Sequence, residues 1–513
     1  MTTRNILRLV ILVGAAGYFA YAHFKGKTAD ETKPTLAAPI AANAKEFRLG
    51  ALDFKACEIA QKHSGATTSA FCAPFSVPEN RDDKNGRKID LRLALIKSDA
   101  ITADADIVVY LAGGPGQSAV DTWPQVAGSL APLRKHHHIL LLDQRGTGQS
   151  NALTCKHTDD ETDKGEEFDA AKASKRIQTC LDEVSKKADP RFYTTTIAAD
   201  DLEAVRVAIG NPMFDLVGVS YGTRMAQQYA MRHPDGVRSI VLDSVAPNEL
   251  ALGQDFAANL EHALKAQFAA CTNTPACQKA FGDTYANLFT LRDQLRANPR
   301  DFDYHNPTTF TTDKKRLNQY ALTGLVRMFA YTPETAALLP LSISQGLHGD
   351  FTPLLGQTEL LAGDLSDLTD NGMQMSVICS EDADLIAPRP EDDKTLLGNL
   401  MIQSLQAMCS VWPHGTRPAD FHAPFKSDKP VLVLEGELDP VTPPAYGEQV
   451  LKNLTNAKLI VAKGQGHNVI GRGCIPKVVE DFVDDLKPKE LDVACVDMLG
   501  PTPAFIDFNG AAP

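Results

Sequence analysis

Two kinds of apolar run recur along the chain. In KIDLRLALI (88–96), Ile89, Leu91, Leu93 and Leu95 alternate with other residues, the period of a strand covered on one face. IVVYLA (107–112), HILLLD (138–143), FDLVGV (214–219) and SIVLDSV (239–245) are continuous, as strands buried on both faces of a largely parallel sheet must be. Helical spacing lies between them. In ADDLEAVRVAIG (199–210), Leu202, Val205 and Ile209 share a face and Gly210 stops the helix. A second helix follows Ser220 and ends near His233, where Pro234 blocks it. Strand and helix alternate, so the pattern predicts a doubly wound α/β core.

From about Pro247 to Lys429 that alternation lapses. LGQDFAANLEHALKAQFAAC (252–271) and TYANLFTLRDQLRA (284–297) are helical, and strand character returns with PVLVLEGELD (430–439). The segment is either a separate domain or an insertion between two strands of one sheet. Because the sheet resumes, a mainly helical cap over the carboxyl ends of the strands is the expectation. The organisation is then core at 49–247, cap at 248–429 and core again at 430–513.

The first residues have a different character. Arg4 and Arg8 precede an apolar stretch, Leu9 to Ala22, that is short for a membrane span and ends in the small-x-small sequence Ala20-Tyr21-Ala22. Residues 1–22 read as a signal peptide, with an uncleaved membrane anchor as the alternative, and 23–48 as a linker rich in Ala, Pro and Thr. Either reading places the rest of the chain outside the cytoplasm, exported to the periplasm or cell envelope. Ten cysteines without a CxxC fit an oxidising compartment, with sequence neighbours paired in disulfides or several left as buried thiols. A net charge of −13, with the basic residues dispersed, argues against nucleic acid as a partner.

Candidate chemistry sits at the strand ends. GVSYG places Ser220 between a buried strand and a helix, the setting in which a strained turn lifts a serine hydroxyl above the sheet. Such a hydroxyl needs a base, and the base needs a group that fixes its tautomer. His467 in KLIVAKGQGHNV and Asp439 in VLVLEGELDPVTPP end later strands, with Asp243 a second candidate acid. The order Ser, Asp, His is that of α/β-hydrolases. An oxyanion would be met by the backbone N–H groups of Tyr221 and of Gly114, or its neighbour Gly113, in LAGGPGQS. The triplet His136 to His138 reads as a solvated turn at the far end of the sheet, and His414 and His422 as surface residues of a proline-rich loop. This chemistry requires no metal or organic cofactor.

Taken together, GGPG (113–116), DQRGTGQS (143–150), GVSYGT (218–223), LEGELDPVTPP (434–444) and GQGH (464–467) resemble the proline iminopeptidase family of α/β-hydrolase serine peptidases. FCAPFSVP (71–78), VICSEDA (377–383) and CSVWP (409–413) are similar to its exported tripeptidyl aminopeptidase branch, over residues 48–508. The resemblance implies an α/β-hydrolase fold, Ser220, Asp439 and His467 as a triad, and release of short N-terminal units from peptides. It also implies a cap that pairs the free amino group of the substrate; Glu381 is the candidate, with Asp382 and Asp384 behind it, against the alternative of a solvated acidic turn. Ala112 and Tyr221 stand where the cytosolic members carry His and Trp, which shifts the expectation away from strict removal of N-terminal proline. Asp143 and Arg145 are expected to brace a loop. A carboxylesterase on the same fold is the nearest rival function, and a binding protein that has lost its chemistry is another.

Overall fold

The computed structural model describes residues 44–60, 67–100, 106–155, 168–305, 310–365 and 369–511; residues 1–22, read from sequence as a signal or anchor, and nearly all of the expected linker lie outside them. Ten strands form one sheet: β1 (Glu46–Leu49), β2 (Leu52–Ala60), β3 (Thr67–Pro78), β4 (Lys88–Ile96), β5 (Ile107–Leu111), β6 (His138–Leu142), β7 (Phe214–Val219), β8 (Val237–Asp243), β11 (Val431–Gly436) and β12 (Ala457–Ala462), while β9 (Arg300–His305) and β10 (Thr312–Leu317) pair apart from it. Their order is β1-β2-β3-β4-β6-β5-β7-β8-β11-β12. From β6 to β12 the neighbours are parallel, and from β1 to β6 they are antiparallel. Residues 46–48, counted with the linker from sequence, belong to β1.

The continuous runs are explained by two core layers. Val109, Leu140, Leu216, Ile240 and Val433 point to one face, and Val108, Leu141, Val217, Val241 and Leu432 to the other. The central strands β5, β6, β7 and β11 thus bury every residue, β8 all but Arg238, and helices cover both faces.

After β8 the chain leaves the sheet and returns as β11, which lies parallel to β8 with Leu434 opposite Asp243. Of the intervening helices, Phe256–Thr272, Thr284–Ala297 and Gln319–Phe329 share an apolar centre around Leu264, Phe268, Leu288 and Val326, whereas Asn371–Glu381 packs Met373, Met375 and Val377 into the core of the sheet itself. The β9–β10 hairpin is a departure from the helical reading. RDFDYH and TDKKRL are too polar to announce strands, and of β10 only Leu317 is buried.

Five disulfides join consecutive cysteines: Cys57–Cys72, Cys155–Cys180, Cys271–Cys277, Cys379–Cys409 and Cys474–Cys495. The histidine triplet is not the solvated turn expected. His137 is fully buried, with Nδ1 2.8 Å from Asp106 and Nε2 3.1 Å from Asp484, and His138 opens β6. Asp106, His137 and Asp215 cluster closely, and Arg238 places its guanidinium 2.9 Å from Asp215 and 3.3 Å from Asp106.

Candidate active site

Ser220 follows β7 with φ 56° and ψ −122°, a conformation that costs a non-glycine residue about 1–3 kcal/mol and persists only where its surroundings enforce it. Here they do. A Cβ on Gly218 would lie 2.4 Å from the Gly222 carbonyl oxygen, and one on Gly222 would lie 2.1 Å from that of Leu111. Only glycine lets the helix Tyr221–Arg232 start this close to β5 and β7. The Ser220 N–H donates to the Asp243 carbonyl at 2.9 Å, tying the turn to β8.

Asp439 and His467 meet at the ends of β11 and β12. His467 Nδ1 is 2.7 Å from Asp439 Oδ2, and both residues are buried. Asp439 also accepts the backbone N–H groups of Val441 and Thr442 and the Thr442 hydroxyl, so both its oxygens are used as acceptors and His467 Nδ1 is the donor in their bond. That tautomer leaves Nε2 free to take a proton. The base loop hangs from β8: Asp243 accepts from Val469 N–H at 2.9 Å and Ile470 N–H at 3.0 Å, and Ser244 Oγ accepts from Asn468 N–H at 2.8 Å. Asp243, the other candidate acid, is therefore bonded to the backbone beyond His467 while Asp439 holds the ring. From the cap, the Tyr331 carbonyl accepts the His467 N–H at 2.7 Å and its ring meets the imidazole edge to face at 5.2 Å. Neither Asp243 as a clamp nor Tyr331 as a strap could be read from sequence, because both act through main-chain bonds to distant loops.

The GGPG loop runs beside the nucleophile. A Cβ on Gly113 would lie 3.2 Å from that of Ser220, and Gly114 has φ 108°, open to glycine and strained for other residues. Tyr221 is buried, with its N–H at the first turn of the nucleophile helix. Asp370, at the head of the cap helix Asn371–Glu381, fastens this region from above. Its N–H donates to the Gly116 carbonyl, and its carboxylate accepts the Gly148 N–H and the Thr154 hydroxyl.

At the other end of that helix, Glu381 is completely buried, with one oxygen accepting the Thr195 N–H and the other the Thr195 hydroxyl. Burial, reinforced by Asp382, pushes its carboxyl up to about 8 against the pull of Thr195 and Arg224. Asp382 pairs with Arg224 of the nucleophile helix at 2.9 Å, both fully buried, and Asp384 pairs with Arg417 at the surface. Glu381 and Asp382 are thus no solvated turn. His422 is likewise not a plain surface residue: Nδ1 lies 2.6 Å from the Asn248 carbonyl and Nε2 2.8 Å from that of Glu381. Asp143 and Arg145 brace the DQRGTG loop, Asp143 accepting from Ser118 and Val120 and Arg145 gripping Asp201 through two nitrogens.

Among known proteins, the chain is 25% identical over 467 residues to the tripeptidyl aminopeptidase of Streptomyces lividans, covering 84% of each. It is 27% identical over 471 residues to carboxylesterase B of Mycobacterium tuberculosis, covering 82% of this chain and 85% of that one. A putative hydrolase of Escherichia coli, YuaR, is 30% identical over 218 residues, and there the match spans only 43% of the relative's length. The model of the alpha/beta hydrolase fold matches residues 106–472, well over half of the sequence and the span that holds the elbow, the GGPG loop, Asp439 and His467. The chain belongs to the alpha/beta hydrolase family.

Proposed function

We propose that this protein is an exported serine hydrolase of the peptidase type that releases short units from the free N-terminus of peptides. The observation that carries the reading is the suspension of the Ser220 turn and the His467 loop from one strand end, Asp243–Ser244, with His467 Nδ1 bonded to Asp439. In this scheme Ser220 Oγ attacks the scissile carbonyl carbon and His467 Nε2 accepts its proton. Asp439 stabilises the imidazolium, and the N–H groups of Tyr221 and Gly114 receive the oxyanion. Collapse of the tetrahedral adduct expels the amine, which takes the proton from His467. Water then attacks the acyl-enzyme with the same base and releases the carboxylic acid.

The name of the Streptomyces relative supports an aminopeptidase, and a desolvated substrate ammonium calls for a carboxylate. Both oxygens of Glu381 are taken by Thr195 and Asp382 is paired with Arg224, so the partner of that ammonium has to be sought beyond these two cap acids. Five disulfides, together with the apolar N-terminal stretch, support export to the periplasm or cell envelope, the stretch serving as signal or anchor. Carboxylester hydrolysis is the second reading, favoured by the mycobacterial relative.

The test compares turnover of free-amine tripeptidyl amides, their N-blocked analogues and simple esters, alongside labelling by a fluorophosphonate. Labelling at Ser220, and a loss on the order of 10⁴- to 10⁶-fold in kcat for S220A, are expected. Indifference to the free amine would favour the esterase. Absence of labelling would remove the serine mechanism altogether.

A further inference from the structure

A chain of polar side chains behind the nucleophile has no part in the hydrolysis scheme. Glu381 Oε2 accepts from the Thr195 hydroxyl at 2.8 Å, and Oε1 accepts from the Thr195 N–H at 2.6 Å. The same hydroxyl lies 2.6 Å from the hydroxyl of Tyr221, which accepts from Gln144 Nε2 at 3.1 Å. Counting hydrogens fixes the direction. Thr195 has one hydroxyl proton and gives it to Glu381, so the Tyr221 hydroxyl must donate to Thr195. The run Gln144 to Tyr221 to Thr195 to Glu381 leaves none of these hydroxyls unpaired, and it ends on a carboxylate. Its middle member is the residue whose backbone N–H follows the nucleophile.

We propose that Glu381 is a positioning residue for the oxyanion hole: through Thr195 it anchors the Tyr221 phenol, and with it the Tyr221 N–H that receives the developing negative charge. This rests on the serine-hydrolase reading above.

An oxyanion donor is worth two to three orders of magnitude in rate only when it is held at hydrogen-bond distance from the charge as it forms. A buried phenol fixed at its far end supplies such a hold on the first residue of a helix. Glu381 is itself immobilised. The Cys379–Cys409 disulfide lies two residues upstream, its carbonyl accepts Arg417 and the His422 Nε2 hydrogen, and Asp382 grips Arg224. The cap would then serve as part of the frame that sets the geometry of the reaction.

The charged and titratable groups around Glu381 are Asp382, Arg224, Arg417, His422 and Tyr221. With its carboxyl displaced to about 8 by burial, Glu381 gains a proton below that value. The neutral acid donates to Thr195 and reverses the run, so that the Tyr221 proton faces the Gln144 amide and the anchoring weakens.

The experiment measures kcat, KM and the fraction of sites titrated by a fluorophosphonate for E381Q, T195V, Y221F, T195S and the double variant E381Q/Y221F. Expected above pH 8, where Glu381 is ionised in wild type, is a fall in kcat of about tenfold for E381Q, T195V and Y221F, a partial loss of one donor, with KM within about twofold and full titration. T195S, which keeps the hydroxyl, should restore most of the rate, and the double variant should be no slower than either single one. In wild type kcat should rise as pH increases through about 8, a limb absent from E381Q. A raised KM at unchanged kcat would assign Glu381 to substrate contact, and additive losses would mean that no coupled chain exists; either overturns the proposal. If E381Q does not fold, Y221F and T195V, which cut the same chain and leave the carboxyl in place, decide it by the same criteria. A wild-type enzyme that hydrolyses substrate but resists the fluorophosphonate would sink the serine mechanism, and this proposal with it.

Discussion

Asp243 closes β8 with its carbonyl on the Ser220 N–H and its carboxylate on the two N–H groups beyond His467. Burial pushes that carboxyl up to about 6, although both N–H bonds pull it down. Below this pH one oxygen becomes a hydroxyl and can no longer hold its N–H, so the His467 loop loosens. D243N, whose amide can hold only one of the two N–H groups at any pH, should lower kcat about ten- to a hundredfold across the pH range. A D243N enzyme as fast as wild type above pH 6 would remove Asp243 from the mechanism. Asp243 entered the sequence reading as a rival acid because of its place at a strand end; that the main chain of another loop would claim both its oxygens could not be read from residue type. The same holds for His137 and His422, whose partners Asp484 and Asn248 lie 347 and 174 positions away.

At the scale of elements, the elbow is the most legible feature and the least tolerant. Gly222 faces the backbone of Leu111, which cannot rotate aside as a side chain could. G222A should cost several kcal/mol, measured as a drop in the urea midpoint, and abolish fluorophosphonate labelling in whatever remains folded. The central strands were readable because each buries both faces and so shows an unbroken apolar run. The mostly exposed hairpin β9–β10 and the strands β1 to β3, which keep exposed positions along their length, lacked that signal. The disulfide pairing followed sequence proximity, which needs no tertiary information. Joining Cys379 to Cys409, 30 residues apart, should contribute about 3–4 kcal/mol, so C379A/C409A should lose that much unfolding free energy in urea and share the low kcat expected of E381Q.

Over the whole molecule, the end of the sheet opposite the chemistry is locked by charge. Burial alone would lower the His137 imidazole, but the bonds to Asp106 and Asp484 outweigh it and raise it to about 9. The unfolded value is about 6.5, so the stabilisation is whole below that pH and disappears as pH rises through about 9. Urea unfolding at pH 7.5 and 9.5 should show a loss on the order of 1–3 kcal/mol in wild type, and a much smaller one in H137Q. At the opposite end, the helix Asn371–Glu381 is fastened twice, by Asp370 to the GGPG and DQRGTG loops and by Asp382 to Arg224. Removing one partner of the buried Arg224–Asp382 pair costs about 3–5 kcal/mol, a measure of how firmly that end is held. A beam bolted at both ends does not swing like a trapdoor. While both bolts hold, that flank of the cap stays shut, and whatever reaches Ser220 has to come past another.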